Sequence, residues 1–303
     1  MRNRIDIEAV MKRHDDEYDY IQRIHEADIE QKSKDIKIRS TLDLEEKIRE
    51  LKKYSDPEPF VLECLRKRVI EDIVCEAYEI SGVGILGEKV RRVLNGFDIG
   101  TIDPEFIEPL FSLRSAAEYV FDIAKTEEPL TEELVKEIHR ITMGKECSFG
   151  GRYREKRQKV PGCPKEPAFP EDIGRRLNDL LSSIRTGYEN IPIWMRIAHF
   201  HIEFEDIHPF DDGNGRVGIL LADLELIREG YPPIVIYYSD CVEYFRSFDL
   251  YYREGNEVPM INFFINIIER AVDRYLDVYC RYDENIKASK RLNRRKYRKI
   301  ASR

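Results

Sequence analysis

The sequence predicts an all-α protein, and three observations carry that prediction. Trp194, Ile197, Ala198, His201 and Phe204 recur at helical spacing, and Val217, Leu220, Leu221, Leu224 and Ile227 do the same as far as Gly230. A further amphipathic stretch runs from about Phe60 towards Tyr78, opened by the breaker Ser55-Asp56-Pro57-Glu58-Pro59. Beyond Pro104 the chain reads as several more helices.

In chain order, residues 1 to about 56 are rich in charge with thinly spread apolar residues, as in Leu42 to Leu51. Solvated helices are expected there, and the apolar positions do not hold the heptad of a partner-binding coiled coil. Thr131 followed by Glu132 and Glu133 supplies an N-terminal cap and an acidic first turn for a helix to about Met143. The segment from Gly150 through Pro161 and Gly162 to Pro170 is punctuated by glycine and proline and lacks helical periodicity. Glu171 to Ser183 gives another amphipathic helix ending near Gly187, and Pro192 opens the helix that leads to His208. The tail from Lys287 to Arg303 has nine basic residues and no acidic one. It reads as a solvated helix end, with nucleic acid or an acidic partner as its alternative use.

Between the two central helices lies Ile207-His208-Pro209-Phe210-Asp211-Asp212-Gly213-Asn214-Gly215-Arg216. Pro209 and Gly213 disfavour a continuous helix, so the second helix is expected to begin near Asn214 or Gly215. A helix start after a glycine-rich turn presents unpaired N–H groups and the positive end of its dipole, which together suit phosphate. Asp212 can hold Mg²⁺ through one carboxylate while phosphate and water complete the shell. Arg216 adds planar donors for phosphate. His208 is the group on this loop that can take up a proton near neutral pH. Taken singly, a histidine after an amphipathic helix is often structural, and Asp-Gly or Asn-Gly pairs mark plain turns. Their joint occurrence carries the chemical reading. His201, on the apolar face, reads as a hydrogen-bonded core histidine, and the sequence reveals no partner for His199.

The loop resembles the signature of the Fic family, His-Pro-Phe-x-(Asp/Glu)-Gly-Asn-(Gly/Lys)-Arg, and every fixed position matches. The preceding Ala198, His201, Phe204 and Ile207 also fit the family pattern. The resemblance covers about Phe106 to Tyr279. It implies a Fic-type helical core over 106–280, a short hairpin flap at about 150–170 that pairs with an extended piece of the target, an N-terminal helical region over 1–105 and a basic tail over 281–303. It further implies transfer of AMP from ATP to a Ser, Thr or Tyr hydroxyl of a target protein. His208 is then the general base and Asp212 the Mg²⁺ ligand. Gly213, Asn214, Gly215 and Arg216 stabilise the phosphates, and Phe210 anchors the loop in the core. Aromatic residues in Tyr237-Tyr238, Tyr244-Phe245 and Tyr251-Tyr252 belong to the core or flank a purine base.

One subgroup of that family carries an inhibitory helix with (Ser/Thr)-x-x-x-Glu-(Gly/Asn). By that comparison Glu79, in Cys75-Glu76-Ala77-Tyr78-Glu79-Ile80, resembles the inhibitory glutamate, in a possible inhibitory helix near 60–80. Cys75 and Ile80 depart from the pattern, and the alternative is an ordinary helix-end carboxylate. Ile219 stands where the subgroup has a second arginine for the terminal phosphate. This leaves open a constitutive transferase, a transferase using another nucleotide or diphosphate donor, a hydrolase removing AMP, and, from another class, a non-catalytic nucleotide-binding scaffold.

Composition bounds the rest. At 303 residues and 42% hydrophobic content the chain can form a sizeable core. A charged fraction of 36% with net charge −8 argues against a general nucleic-acid coat, leaving nucleic acid to the tail alone. No apolar run reaches membrane-span length and no signal-peptide core begins the chain, so a cytoplasmic protein is expected. Six scattered cysteines without a Cys-x-x-Cys pair indicate neither zinc nor disulfides. Expected partners are the nucleotide and the hydroxyl-bearing protein, with a homodimer left open.

Overall fold

Helices carry the regular structure of the computed structural model, which describes residues 36–54, 58–80, 86–97, 100, 102–160, 163–186 and 191–301. Side chains are described for these residues except 185–186 and 289–301. Among the described residues ten α-helices run in the order α1 Leu42–Leu51, α2 Pro59–Ile80, α3 Gly87–Leu94, α4 Pro104–Ile123, α5 Glu132–Met143, α6 Ile173–Thr186, α7 Ile193–Ile207, α8 Asn214–Arg228, α9 Cys241–Glu254 and α10 Val258–Ala301. The all-α expectation holds, and no strand occurs among the described residues.

Local signals account for the ends. Asp103 accepts from Glu105 N to open α4, with Pro104 at its first position. The Thr131 hydroxyl accepts from Leu134 N at 3.2 Å to open α5. Gly255, at φ 69°, ends α9, and Asn256 Oδ1 accepts from Val258 N at 3.0 Å to start α10.

The site is placed by α7 and α8, which are buried on both sides. Phe200, Phe204 and Ile207 of α7, with Val217, Leu220, Leu221 and Leu224 of α8, join a cluster that takes in α2 to α6. Ile193, Trp194, Ile197 and Ile202 of α7, with Ala222 and Leu226 of α8, face a second cluster built on α1 and the first half of α10. Helices that are apolar all round are expected in such a position. The connection between them is therefore held from two cores at once.

The N-terminal helices share these cores. Val69, Ile73 and Val74 of α2 and Val90 and Val93 of α3 lie in the first cluster. Helix α1 packs Leu44 and Ile48 against the second, and Lys47 Nζ reaches Glu269 at 2.9 Å and Asp273 at 2.8 Å on α10. Helix α10 passes residue 280 without a break. The expectations for residues 1–35, and the side chains of the basic tail beyond 288, lie outside the described residues.

Among the described residues of 150–170 no hairpin ladder is formed. Over the described part of 151–169 the chain is irregular, because its backbone donors turn to the neighbouring loop: Arg154 N donates to Pro209 O at 3.0 Å and Ala168 N to Asp206 O at 3.1 Å. No helix among the described residues is long and apolar enough to cross a membrane.

Candidate active site

Helix α7 ends at His208, which has φ 48° and is the described non-glycine residue in the left-handed region. Such a backbone costs about 1–3 kcal/mol and persists when its surroundings over-determine it. Here they do. His208 N donates to Phe204 O at 2.9 Å, and Arg154 Nε donates to His208 O at 2.7 Å. Arg154 also donates to the carbonyls of Ile207 at 3.2 Å, Lys156 at 2.9 Å and Ala168. This guanidinium is 2% exposed and spends its donors on main-chain carbonyls. It is a staple for the turn that aims the imidazole.

Two more side chains hold the loop. Asn214 Oδ1 accepts from Phe210 N at 2.9 Å while its Nδ2 donates to Phe210 O at 2.8 Å. Both ends of the amide thus hold the backbone of Phe210. His139 of α5 stacks on the Phe210 ring with centroids 3.7 Å apart. Its Nδ1 accepts from Gly151 N at 2.9 Å, which leaves the proton on Nε2 to be donated to Asp212 O at 3.0 Å. Burial pushes the His139 pKa down to about 4, so the ring serves the loop as a neutral bridge. Phe210 is fully buried, as expected of an anchor.

At the start of α8, Gly213 has φ 82°, and a Cβ there would lie 2.8 Å from Met143 Sδ. The turn therefore needs glycine twice over, for conformation and for space. No side chain caps α8. Nothing lies within 4 Å of where a Gly215 Cβ would be, so the first turn faces open space. The donors of that turn and the positive end of the helix are presented to a ligand. Arg216 NH2 lies 3.0 Å from Asp212 Oδ2, and Asp212 Oδ1 accepts from Gly213 N at 2.6 Å. Asp212 is 63% exposed, so this pair is readily exchanged for ligand contacts.

These groups line one cavity of about 610 Å³. His208, Asp211, Asp212, Gly213, Asn214, Gly215 and Arg216 form one part of its wall. Tyr244, Phe245, Phe248 and Tyr252 of α9 form another, so the two candidate readings of the aromatics meet: Tyr244 pairs with core His201 (Nε2 to OH 2.7 Å) and still borders the cavity. Tyr237 and Tyr251 do not line it. The first lies beneath Arg270, 4.5 Å from its centroid, and the second donates to Glu203 at 3.0 Å. His201 is the buried core histidine the sequence suggests, and His199 has a partner after all in Glu257, 3.2 Å away.

The cavity is also lined by Ile73, Ala77, Tyr78 and Ile80 of α2 and by Ile219 of α8. Glu79 is not part of that wall. Its Oε1 accepts from Gly87 N at 2.6 Å, which places the carboxylate at the positive start of α3.

Sequence reasoning missed Arg154, His139 and Glu205. The first two leave no signal, because their partners are main-chain atoms, which residue types do not reveal. Glu205 could have been found from its place three residues before His208 on the same helix face.

Residues 129–226 match the model of the Fic/DOC family. A relative named protein adenylyltransferase Fic, from Nematostella vectensis, is 31% identical over 172 residues, which are 55% of this chain and 39% of that protein. The chain therefore spans well under half the length of that relative. Among solved structures, a Fic-domain signalling protein from Bacteroides thetaiotaomicron superposes with a TM-score of 0.68 at 21% identity, covering 78% of this chain and 96% of that one. Fic-1 from C. elegans gives 0.64 at 20%, covering 77% and 71%.

Proposed function

We propose that this chain, which carries a Fic domain over residues 129–226, moves AMP from Mg·ATP to a Ser, Thr or Tyr hydroxyl of a target protein. The observation that supports this reading is the meeting of His208 with the uncapped first turn of α8 on one cavity of about 610 Å³. That size suits a nucleotide-sized ligand. The aromatic wall from α9 offers faces for a purine base.

In this reading His208 takes the hydroxyl proton as the oxygen attacks the α-phosphorus, and pyrophosphate leaves. General-base assistance of this kind contributes about 10² to 10⁴ in rate. Charge that builds on the phosphates is met by the N–H groups at Gly215 and Arg216 and by the Arg216 guanidinium, once it leaves Asp212. Asp212 fits Mg²⁺, being an exposed carboxylate on the cavity wall, and Mg²⁺ takes one such ligand together with phosphate oxygens. When bound, the ion would offset phosphate charge.

Ile219 favours a second reading. It borders the cavity one turn after Arg216 and brings no charge to a terminal phosphate. That wall supports a donor other than ATP, or removal of AMP from a modified protein. Incubation with labelled ATP and Mg²⁺ tests the first reading: the protein acquires label, and both His208→Ala and chelation of Mg²⁺ abolish it. Label retained in His208→Ala would overturn the mechanism. Label taken only from another nucleotide, or released from a pre-modified protein, would favour the second reading.

A further inference from the structure

Glu205 sits in the last turn of α7 with Oε2 3.4 Å from Nδ1 of His208, and each side chain is 14% exposed. His208 Nδ1 and Glu205 Oε1 are both buried atoms without a hydrogen-bond partner. Buried polar atoms left in that condition cost free energy, and hydrogen bonds between catalytic groups often tighten only when substrate is bound. Space for the carboxylate comes from α8, where a Cβ on Gly218 would lie 3.1 Å from Glu205 Oε1 and from His201 Nδ1.

Several other ionisable groups nearby are engaged elsewhere. Asp206 is paired with Lys165 and Arg176, each at 2.7 Å, and Asp212 with Arg216. Asp249 of α9 is paired with Arg253, and Arg154 holds carbonyls. Asp211 borders the cavity, as do Cys163, Tyr78 of α2, and Tyr244 and Tyr252 of α9. Burial raises the pKa of Cys163 and of these tyrosines, so they stay neutral. His201 is held neutral by burial. Among the described residues, Glu205 is the carboxylate within ion-pair distance of the His208 ring.

We propose that Glu205 is the positioning residue of the base: it accepts a hydrogen bond from Nδ1–H of His208, which fixes the proton there and leaves the Nε2 lone pair for the incoming hydroxyl. Which ring nitrogen carries the proton is set by the bond the other makes. As the hydroxyl oxygen bonds to phosphorus and the bond to pyrophosphate breaks, the proton moves to Nε2, and the carboxylate faces the resulting imidazolium. The rate consequence rests on the transfer reading, whereas the tautomer does not.

The test uses the full chain and its Glu205→Gln, Glu205→Ala and Glu205→Asp variants. Imidazole ¹⁵N shifts at alkaline pH report the tautomer, and auto-modification kinetics with labelled ATP report the rate. The natural protein carries the proton on Nδ1. Glu205→Gln and Glu205→Ala lose that preference, and their kcat falls at least about tenfold while the nucleotide KM stays within about twofold. Glu205→Asp retains the tautomer and part of the rate. An Nε2–H ring in the natural protein, an unchanged tautomer in Glu205→Gln, or an unchanged kcat with an altered tautomer would each overturn the assignment. If the tautomer responds but the natural protein transfers nothing, the pairing stands and the transfer reading falls.

Discussion

The loop from Asp206 to Arg216 and the end of α2 from Ile73 to Ile80 border the same cavity, yet they are built in opposite ways. The loop is held by main-chain hydrogen bonds from Arg154, Asn214 and His139, brought from three different parts of the chain. The end of α2 meets the cavity through apolar side chains and a tyrosine, and its two glutamates turn elsewhere, Glu79 to the start of α3 and Glu76 to the backbone N–H of Tyr238. Chemistry needs atoms held to a fraction of an ångström, and the loop has that support. A wall needs shape alone, and α2 supplies it.

The largest break in this contrast is expected from Arg154→Ala. It strips donors from the buried carbonyls of Ile207, His208 and Ala168 while the strained His208 backbone loses its clamp. A stability loss of roughly 3 kcal/mol or more follows, read by denaturant unfolding. Arg154→Lys should recover little, because an ammonium cannot reproduce the fork. Recovery by lysine to near the natural stability would show that charge, not geometry, holds the turn.

Next in size is a pH effect at His139, whose folded pKa of about 4 lies below its ordinary 6.5. Between those values the unfolded chain binds a proton that the folded loop refuses. Stability contributed by the neutral ring is therefore complete above pH 6.5 and lost as pH falls towards 4, by roughly 3 kcal/mol. Unfolding curves across that window should be steeper for the natural protein than for His139→Gln. Equal slopes would mean that the ring accepts its proton without disturbing Gly151 and Asp212.

A smaller effect sharpens the account of the α2 side. Ile219→Arg places a guanidinium one turn after Arg216 and should tighten ATP about tenfold, close to 1.4 kcal/mol, while leaving AMP affinity nearly unchanged. Calorimetric titration with both ligands checks this. Equal gains for AMP and ATP would put the new arginine away from the terminal phosphates.

How far the sequence reaches follows the same division. The helices α7 and α8 and the start of α8 at Asn214 are legible because periodicity and the Pro209 and Gly213 breakers are local facts. That His208 and Arg216 share one cavity wall is legible because those residue types rarely meet on one loop without a use. Arg154 is not legible, since its acceptors are carbonyls whose positions depend on a turn 54 residues away. The backbone bonds of Asn214 are not legible, because a side-chain amide suits either a phosphate or a backbone and the path of Phe210 is not a local fact. The missing flap ladder has a similar origin, since the pattern of residues 150–170 does not reveal that Pro209 and Asp206 take their N–H groups.

Glu79 gives the most direct test of the contrast. Its carboxylate is tied to Gly87, so Glu79→Gly should cost about 1 kcal/mol of helix stabilisation at α3 and change the rate of auto-modification by less than about twofold. The measurement is the initial rate of label uptake from ATP and Mg²⁺ by the natural chain, by Glu79→Gly and by His208→Ala, run side by side. The account predicts natural and Glu79→Gly rates that agree, with His208→Ala at background. A many-fold rise in Glu79→Gly would contradict it, because the end of α2 would then be a latch on the loop and not a wall.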